Sequence, residues 1–342
     1  MAAVSVCIVG AGVCGLSTAL LLAESKSIPY KVTIIADQFS PKTTSNAAAA
    51  VVAPFILGPE TPIQLQRRWI KQTMDWLGSL YKTTDATTIG VILQHLYFCY
   101  DKMQQDSYWK DWLLSYRKLT PKEKEMAFAD DSIIDGWCCS TFTLDTDKYM
   151  HWLTNKLKNL NCRFIQKKLR DLSEVSSYDI VVNCSGIGAN RLVPDPSVVP
   201  VRGQAIRVKA PWVQHCCIYI NEKAISYILP RATTVLLGGT AQAGNWSKSI
   251  DPNDSKRIFE DCCKIIPSLK NAETVEEIVD LRPSRPSVRL EIETRRTGHK
   301  DMKIVHNYGH GGSGISLHWG CALDSFKLVE KLAEDIRVSC KL

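Results

Sequence analysis

The sequence has no long apolar run; no stretch reaches the roughly 18 residues that a membrane-spanning helix requires. It also has no block of five or more basic residues, no low-complexity tract and no internal repeat. Those absences argue against a nucleic-acid arm, a disordered chain and a repeat array. Cysteine is plentiful, 13 in 342 residues, yet no C-x-x-C pair has a matching partner of the kind that suggests zinc. Three adjacent pairs, Cys138-Cys139, Cys216-Cys217 and Cys262-Cys263, are ill suited to pairing with each other, so reduced thiols in an intracellular compartment are expected. What remains is ordinary for a soluble globular protein: 45% apolar and 23% charged residues, with chain enough for one large or two medium domains. The net charge of +7 is scattered among 35 acids, a mild excess that helps to draw in anionic substrates. The apolar N-terminus lacks the positive start of a secretory signal, and Gly10, Gly12 and Gly15 interrupt it at functional spacing.

Those glycines lie between two strand patterns. Val4 to Val9 is a short, continuous apolar run with β-branched residues, as in a buried parallel strand. Gly10-Ala11-Gly12-Val13-Cys14-Gly15 follows, then a helical stretch, Leu16 to Glu24, and a second strand, Lys31 to Ala36, ending at Asp37. A G-x-G-x-x-G turn with an acid 22 residues beyond its last glycine is the fingerprint of a dinucleotide-binding βαβ unit. Gly10 permits the tight turn, Gly12 admits a pyrophosphate close to the backbone, and Gly15 lets helix and strand pack. The helix N-terminus adds free N–H groups and a positive dipole end. Asp37 is placed to accept hydrogen bonds from a ribose diol. The unit alone is compatible with FAD or NAD.

Beyond Asp37, a polar loop carries Thr43, Thr44 and Ser45, short hydroxyls able to reach phosphate oxygens, then a small-residue run from Ala47 to Ala50. Helical apolar spacing runs from Leu65 to Tyr81, and residues 106–126 read as surface helix and loop. Tyr178 to Gly186 repeats the parallel-strand pattern and ends in small residues, which suggests another sheet edge at the cofactor. Shorter strands around Pro211 and Pro230 make an antiparallel pattern over 201–240. A second glycine loop, Gly309 to Gly314, runs into a helix with apolar positions at Leu323, Phe326, Val329, Leu332 and Ile336. Such a loop can close over the flavin end of a long cofactor, which favours FAD. The expected fold class is α/β, a Rossmann-like FAD-binding domain with an inserted antiparallel-sheet substrate domain. Residues 1–55, 145–200 and 283–342 are assigned to the first domain, and 56–144 and 201–282 to the second.

Seven segments occur in one order along nearly the whole chain: Val9 to Ser17, Thr43 to Ser45, Val182 to Gly186, Pro200 to Gln204, Leu237 to Thr240, Leu281 to Pro283 and His306 to Gly312. Together they resemble the D-amino-acid oxidase and D-aspartate oxidase family. The resemblance implies oxidative deamination with FAD: the Cα–H of a D-amino acid faces flavin N5 and leaves as hydride. The imino acid then hydrolyses to a 2-oxo acid and ammonia, and O2 reoxidises the flavin to give H2O2. No general base is required, and none stands out. The resemblance implies Arg282 as a bidentate fork on the substrate α-carboxylate, Tyr227 as a hydroxyl donor to it, and the Gly312 carbonyl as acceptor for the amine. Around the cofactor it implies Gly10, Gly12, Val13, Cys14, Gly15, Asp37, Thr43, Thr44, Ser45, Ala50, Val51, Ser185, Gly311, Gly312, Gly314, Ile315 and Ser316. At position 50 the family commonly has Gly, whereas this chain has Ala50.

The family divides between oxidases of acidic and of neutral D-amino acids. Glu60 to Gln66 is similar to the corresponding segment of aspartate oxidases. An acidic substrate brings a second carboxylate, which must be paired once desolvated. Two positions where the better-known aspartate oxidases offer Arg read Ile220 and Ala241 here; Lys223, where neutral-substrate oxidases place a lid Tyr, is the candidate to supply the missing charge, with an exposed loop lysine as the alternative. Acidic substrates, D-aspartate and D-glutamate, are therefore expected, with neutral or broad specificity as the alternative. Outside the family, a NAD-dependent dehydrogenase and a flavin-fold binding protein without turnover remain open. The chain ends in Cys340-Lys341-Leu342, close to the Ser-Lys-Leu peroxisomal address, which predicts delivery to the peroxisomal matrix by its import receptor. Nucleic-acid and membrane partners are not expected.

Overall fold

The structure, a computed structural model, describes residues 3–297 and 300–339. Cys340-Lys341-Leu342 lies outside them. From the N-terminus run β1 (Val4–Val9), α1 (Val13–Ala23), β2 (Tyr30–Ala36), α2 (Ile63–Tyr81), the short α3 (Ala86–Ile89) and β3 (Val91–Tyr100). Then come β4 (Ser115–Lys118), α4 (Pro121–Ala127), β5 (Asp135–Leu144), α5 (Thr146–Asn159), β6 (Arg163–Gln166), β7 (Ile180–Asn183) and α6 (Ala189–Leu192). The remainder is β8 (Val199–Lys209), β9 (Cys216–Ile220), β10 (Ile225–Pro230), β11 (Val235–Gly238), β12 (Gln242–Ala243), α7 (Pro252–Ile265), β13 (Glu273–Thr297), β14 (Lys300–His310) and α8 (Gly314–Ser339).

Among the described residues the strands form one sheet in the order β4-β5-β3-β9-β10-β11-β8-β13-β14-β7-β1-β2-β6, with β12 added beside β8. From β14 to β6 every neighbour pairs parallel. These strands are covered on both faces, which is why they read as unbroken apolar runs. Val6, Ile8, Ile34 and Val182 pack with residues of α1, α5 and α8, while Cys7, Val9, Ile35 and Val181 face the layer that includes α6. The expected strand over Tyr178 to Gly186 is real as β7, but it is interior, between β1 and β14, rather than an edge. Its C-terminal end, not its flank, reaches the cofactor turn.

The other half of the sheet is mostly antiparallel. β3 and β9 pair parallel, a departure from the antiparallel expectation. The segment 106–126, read as helix and loop, also contains the edge strand β4. α2 lies inside a segment assigned to the substrate-binding part, yet it packs on α8. Trp76 stacks on Trp319 with ring centroids 3.7 Å apart, and Trp69 Nε1 donates to Asp324 Oδ2 at 2.8 Å.

β13 joins the two halves. Its 25 residues pair with β8 from Glu273 to Ser284, and with β14 at Ser284 and again from Arg289 onward. The register breaks between Ser284 and Arg289, beside Pro283 and Pro286, whose missing N–H groups cannot extend a ladder. The expected boundary at 282/283 therefore falls inside one continuous strand.

Candidate active site

The glycine turn after β1 has the crowding that its sequence demands. Gly10 adopts φ +109°, a region that side chains avoid, and a Cβ there would come 2.4 Å from the Cys184 carbonyl oxygen. A Cβ on Gly15 would come 2.1 Å from the Gly10 carbonyl oxygen, so Gly15 serves the packing of α1 under the turn. At the start of α1, the Val13 N–H donates to Ser45 Oγ at 2.9 Å, which ties the hydroxyl loop to the helix N-terminus. Thr43 Oγ1 donates to Asn46 Oδ1, and Asn46 Nδ2 donates to Asp147 Oδ1, so this loop is braced before any ligand arrives. Asp37 is exposed at the end of β2.

The second glycine loop lies under a strap, residues 51–58. Gly312 N–H donates to the Ile56 carbonyl at 3.2 Å, and Ser313 Oγ accepts from Phe55 N–H at 2.8 Å. Ser316 Oγ accepts from Ala53 N–H at 3.1 Å and donates to the Ala53 carbonyl at 2.8 Å. The strap thus uses polar groups around the start of α8 and presses Val51, Ala53, Pro54 and Phe55 toward the same space as the glycines.

That space is a cavity of about 490 Å³. Of the residues expected from sequence, it is lined by Gly10, Gly12, Val13, Cys14, Asp37, Thr43, Thr44, Ser45, Ala50, Val51, Ser185, Gly311, Gly312, Gly314 and Ile315, and also by Tyr227 and Arg282. Cofactor turn and expected substrate groups therefore share one chamber. Three expected residues are not brought to it. Gly15 lies behind the turn, and Ser316 is buried with its hydroxyl occupied by the strap. Lys223 is the third, and here the structure corrects the expectation. Asn221 Oδ1 accepts from the N–H groups of Lys223 and Ala224, forming a tight turn between β9 and β10 that leaves Lys223 in solvent.

At the substrate end, Arg282 is half-buried and donates one bond, from Nη1 to the Thr240 carbonyl at 2.9 Å. No acidic side chain pairs with it among the described residues. Phe55 lies 5.7 Å from its guanidinium carbon. Tyr227 is 6% exposed; burial pushes its hydroxyl pKa up, with Arg282 and Arg231 pulling the other way. It is therefore a protonated donor at neutral pH. The walls are Phe98 and Tyr100 of β3, Ile218 and Ile220 of β9, Ile225 and Leu229 of β10, and Trp109. In each strand they are alternate residues, a period readable in the sequence once the inward face is known. Lys248 lines the cavity too, its Nζ 3.2 Å from Asp280 Oδ1. Lys248 sits in an irregular loop, so no periodicity could have singled it out.

Arg202 explains how that loop is held. It is 2% exposed, and Nε donates to the Ser247 carbonyl, Nη1 to Gln242 and Asp254, and Nη2 to Gln204 and the Ser249 carbonyl. All five N–H groups are used, which a buried guanidinium requires. The motif Pro200 to Gln204 is thus divided by alternation, with Arg202 and Gln204 pinning loop 242–254 and Gly203 lining the cavity.

Electrostatically the glycine-loop end is neutral. Burial, with His318 assisting, pushes His310 down to about 4, and burial likewise brings His318 to about 4. His318 Nδ1–H donates to the Ile315 carbonyl at 2.6 Å, so Nε2 accepts from the Tyr149 hydroxyl at 2.8 Å. Nearby, Asn307 is 1% exposed with neither amide atom bonded, and Ser185 Oγ is likewise unpartnered. Both line the cavity, where a polar ligand would supply the missing partners. A glycine turn at a helix N-terminus, an acid at the end of the next strand and orphaned polar groups farther along fit a long dinucleotide.

A family model described as FAD dependent oxidoreductase matches residues 5–324. The chain is 38% identical to a human D-aspartate oxidase over 97% of its length and 96% of that protein's. It is 34% identical to a Dictyostelium discoideum D-amino-acid oxidase, covering 96% and 92%. Among solved structures, a glycine oxidase from Geobacillus kaustophilus superposes with TM-score 0.74 at 20% identity, covering 95% and 94%. An L-α-glycerophosphate oxidase from Mycoplasma pneumoniae with FAD bound gives 0.73 at 15%, covering 96% and 95%. FAD is the cofactor that these matches and the cavity support together. Rossmann turn, second glycine loop and family match agree, and the chain belongs to the FAD-dependent oxidoreductases of the D-amino-acid oxidase family.

Proposed function

We propose that the protein oxidatively deaminates D-amino acids, so that amino acid, O2 and water give 2-oxo acid, ammonia and H2O2. The observation that carries this reading is Arg282: a half-buried guanidinium without an acidic partner among the described residues, in the wall of the chamber that also holds the cofactor turn. A guanidinium so placed calls for an anionic ligand. Bound FAD supplies the chemistry by accepting the Cα hydride and passing the electrons to O2. The chain's own residues bind and orient. Arg282 forks the α-carboxylate, the protonated Tyr227 hydroxyl donates to it, and the Gly312 carbonyl receives the amine. The apolar walls and the strap keep water from the reacting carbon.

Acidic D-amino acids are the proposed preferred substrates. The 38% identity to a D-aspartate oxidase supports this, as does Lys248, a second cation in the cavity wall. A neutral preference is the second reading, favoured by the Ile218, Ile220, Ile225 and Leu229 walls and by Asp280, which already holds Lys248. Delivery to peroxisomes is proposed from Cys340-Lys341-Leu342, and deletion of that tripeptide should disperse a tagged protein.

The test compares peroxide formation by the FAD-loaded enzyme from D-aspartate, D-alanine and L-aspartate, with Arg282→Ala and Lys248→Ala variants. Arg282→Ala is expected to lower kcat/KM at least about 30-fold for every substrate, the cost of losing a charged bidentate contact. Lys248→Ala should lower it selectively for D-aspartate, by about tenfold. Turnover of D-alanine alone, indifferent to Lys248, would move the enzyme to the neutral reading. No turnover of any D-amino acid would overturn the function.

A further inference from the structure

Four neighbouring strands carry the carboxylate-binding groups, in the order β10, β11, β8, β13. Tyr227 stands on β10 and Arg282 on β13, with two strands between them. Those inner strands have no side chain where the outer two lean in. Gly238 is the cross-strand partner of Tyr227, and Gly203 pairs with Asp280, two residues before Arg282. A Cβ at Gly238 would come 2.0 Å from Cζ of the Tyr227 ring. A Cβ at Gly203 would come within 2.5 to 2.6 Å of Nη1, Cζ and Nη2 of Arg282, its three nearest neighbours.

The two contacts differ in kind. The tyrosine ring is rigid and buried, so Gly238 is needed for packing. The guanidinium is the free end of a flexible side chain facing a cavity, so a methyl group at 203 displaces it rather than disrupting the fold. The flanking Arg202 and Gln204 sit on the opposite face of β8 and keep their bonds to loop 242–254.

We propose that Gly203 is a positioning residue for substrate binding: its bare backbone sets where the Arg282 guanidinium lies, together with the 2.9 Å bond from Nη1 to Thr240. The proposal rests on Arg282 gripping the substrate carboxylate. It adds that the grip depends on a missing side chain on a strand that offers no donor of its own.

The experiment is a double-mutant cycle of Gly203→Ala and Arg282→Ala in the FAD-loaded enzyme. Anaerobic flavin bleaching by a D-amino acid gives substrate Kd and limiting rate separately. Gly203→Ala is expected to weaken substrate Kd by about 10- to 100-fold, the scale of an ångström-sized misplacement, with FAD loading and Tm unchanged. In the Arg282→Ala background it should cost nothing more, because the group it displaces is gone. A Gly203→Ala enzyme that binds substrate like the wild type, while Arg282→Ala does not, would overturn the proposal and leave the Arg282 role standing. An equal loss in both backgrounds, or failure of the double variant to load FAD when Arg282→Ala loads it, would show that the methyl meets something other than Arg282 and would also overturn it. An Arg282→Ala enzyme with normal Kd would remove the carboxylate role itself, and the proposal with it.

Discussion

Ala50 holds φ at +61°, the left-handed region in which a Cβ crowds the following carbonyl. It is buried in the cavity wall, and its carbonyl accepts from Leu144 N–H at 3.1 Å, so the conformation is fixed by the end of β5 rather than chosen by the residue. The departure from the family's glycine thus falls where glycine is the easier residue. Ala50→Gly should relieve about 1 kcal/mol of backbone strain, partly offset by the greater entropy of an unfolded glycine. A rise in Tm of roughly 1–3 °C is expected, and thermal unfolding of the FAD-loaded protein checks it; a fall would show that position 50 is unstrained. Lys223 and Lys248 show the limit of sequence at this scale. Both are lysines in loops, and only the Asn221 turn and the Arg202 anchor, contacts across 2 and 45 to 47 residues, decide which one meets the cavity.

At the scale of elements, β1, α1, β2 and the start of β7 were legible because a strand buried on two faces and a glycine turn leave local signatures. β3 and β5 were not identified; their partners lie far away in sequence, and neither carries a fingerprint. The strap was invisible for a related reason: residues 51–58 have no repeating structure and are held by distant partners, Thr141 and Phe142 of β5 at its start and Gly312, Ser313 and Ser316, more than 250 residues on, along its length. That unit also holds Ile56 at φ +47°, which a β-branched residue avoids. Ser316→Ala takes the hydroxyl donor from the buried Ala53 C=O and leaves the Ala53 N–H only its bond to the Val51 carbonyl, a cost of about 1–3 kcal/mol. The strap should loosen, and FAD should bind roughly 5- to 100-fold more weakly while α8 keeps its helical signal. Fluorescence titration with FAD, beside far-UV circular dichroism, would measure both; unchanged affinity would mean that the strap does not shape the cofactor site.

For the whole molecule, the buried histidines set an acid limit. His310 and His318 titrate at about 4 when folded, against about 6.5 when unfolded, because burial disfavours their charged forms. Between those values the unfolded chain binds protons that the folded one refuses, so stability falls as pH falls. The contribution is complete above pH 6.5 and is lost progressively toward pH 4, at roughly 3 kcal/mol per histidine. Tm of the FAD-loaded enzyme should be level from pH 8 to about 6.5 and then drop; a Tm that stays level down to pH 5 would contradict the burial of these rings.

β13 also governs how the molecule can open. A single main chain crosses from the nucleotide-binding sheet to the substrate-binding sheet, hydrogen-bonded to β8 on one side and to β14 on the other. Residues 285–288, at the crossing, belong to neither ladder, so bending there breaks no sheet hydrogen bond, whereas bending elsewhere along β13 would shear one of them. Irregular segments at the rim, such as residues 101–109 and the Lys248 loop, also border the cavity without belonging to either ladder. The two halves of the sheet are thus stiff plates, joined at a proline-bearing crossing that no ladder braces.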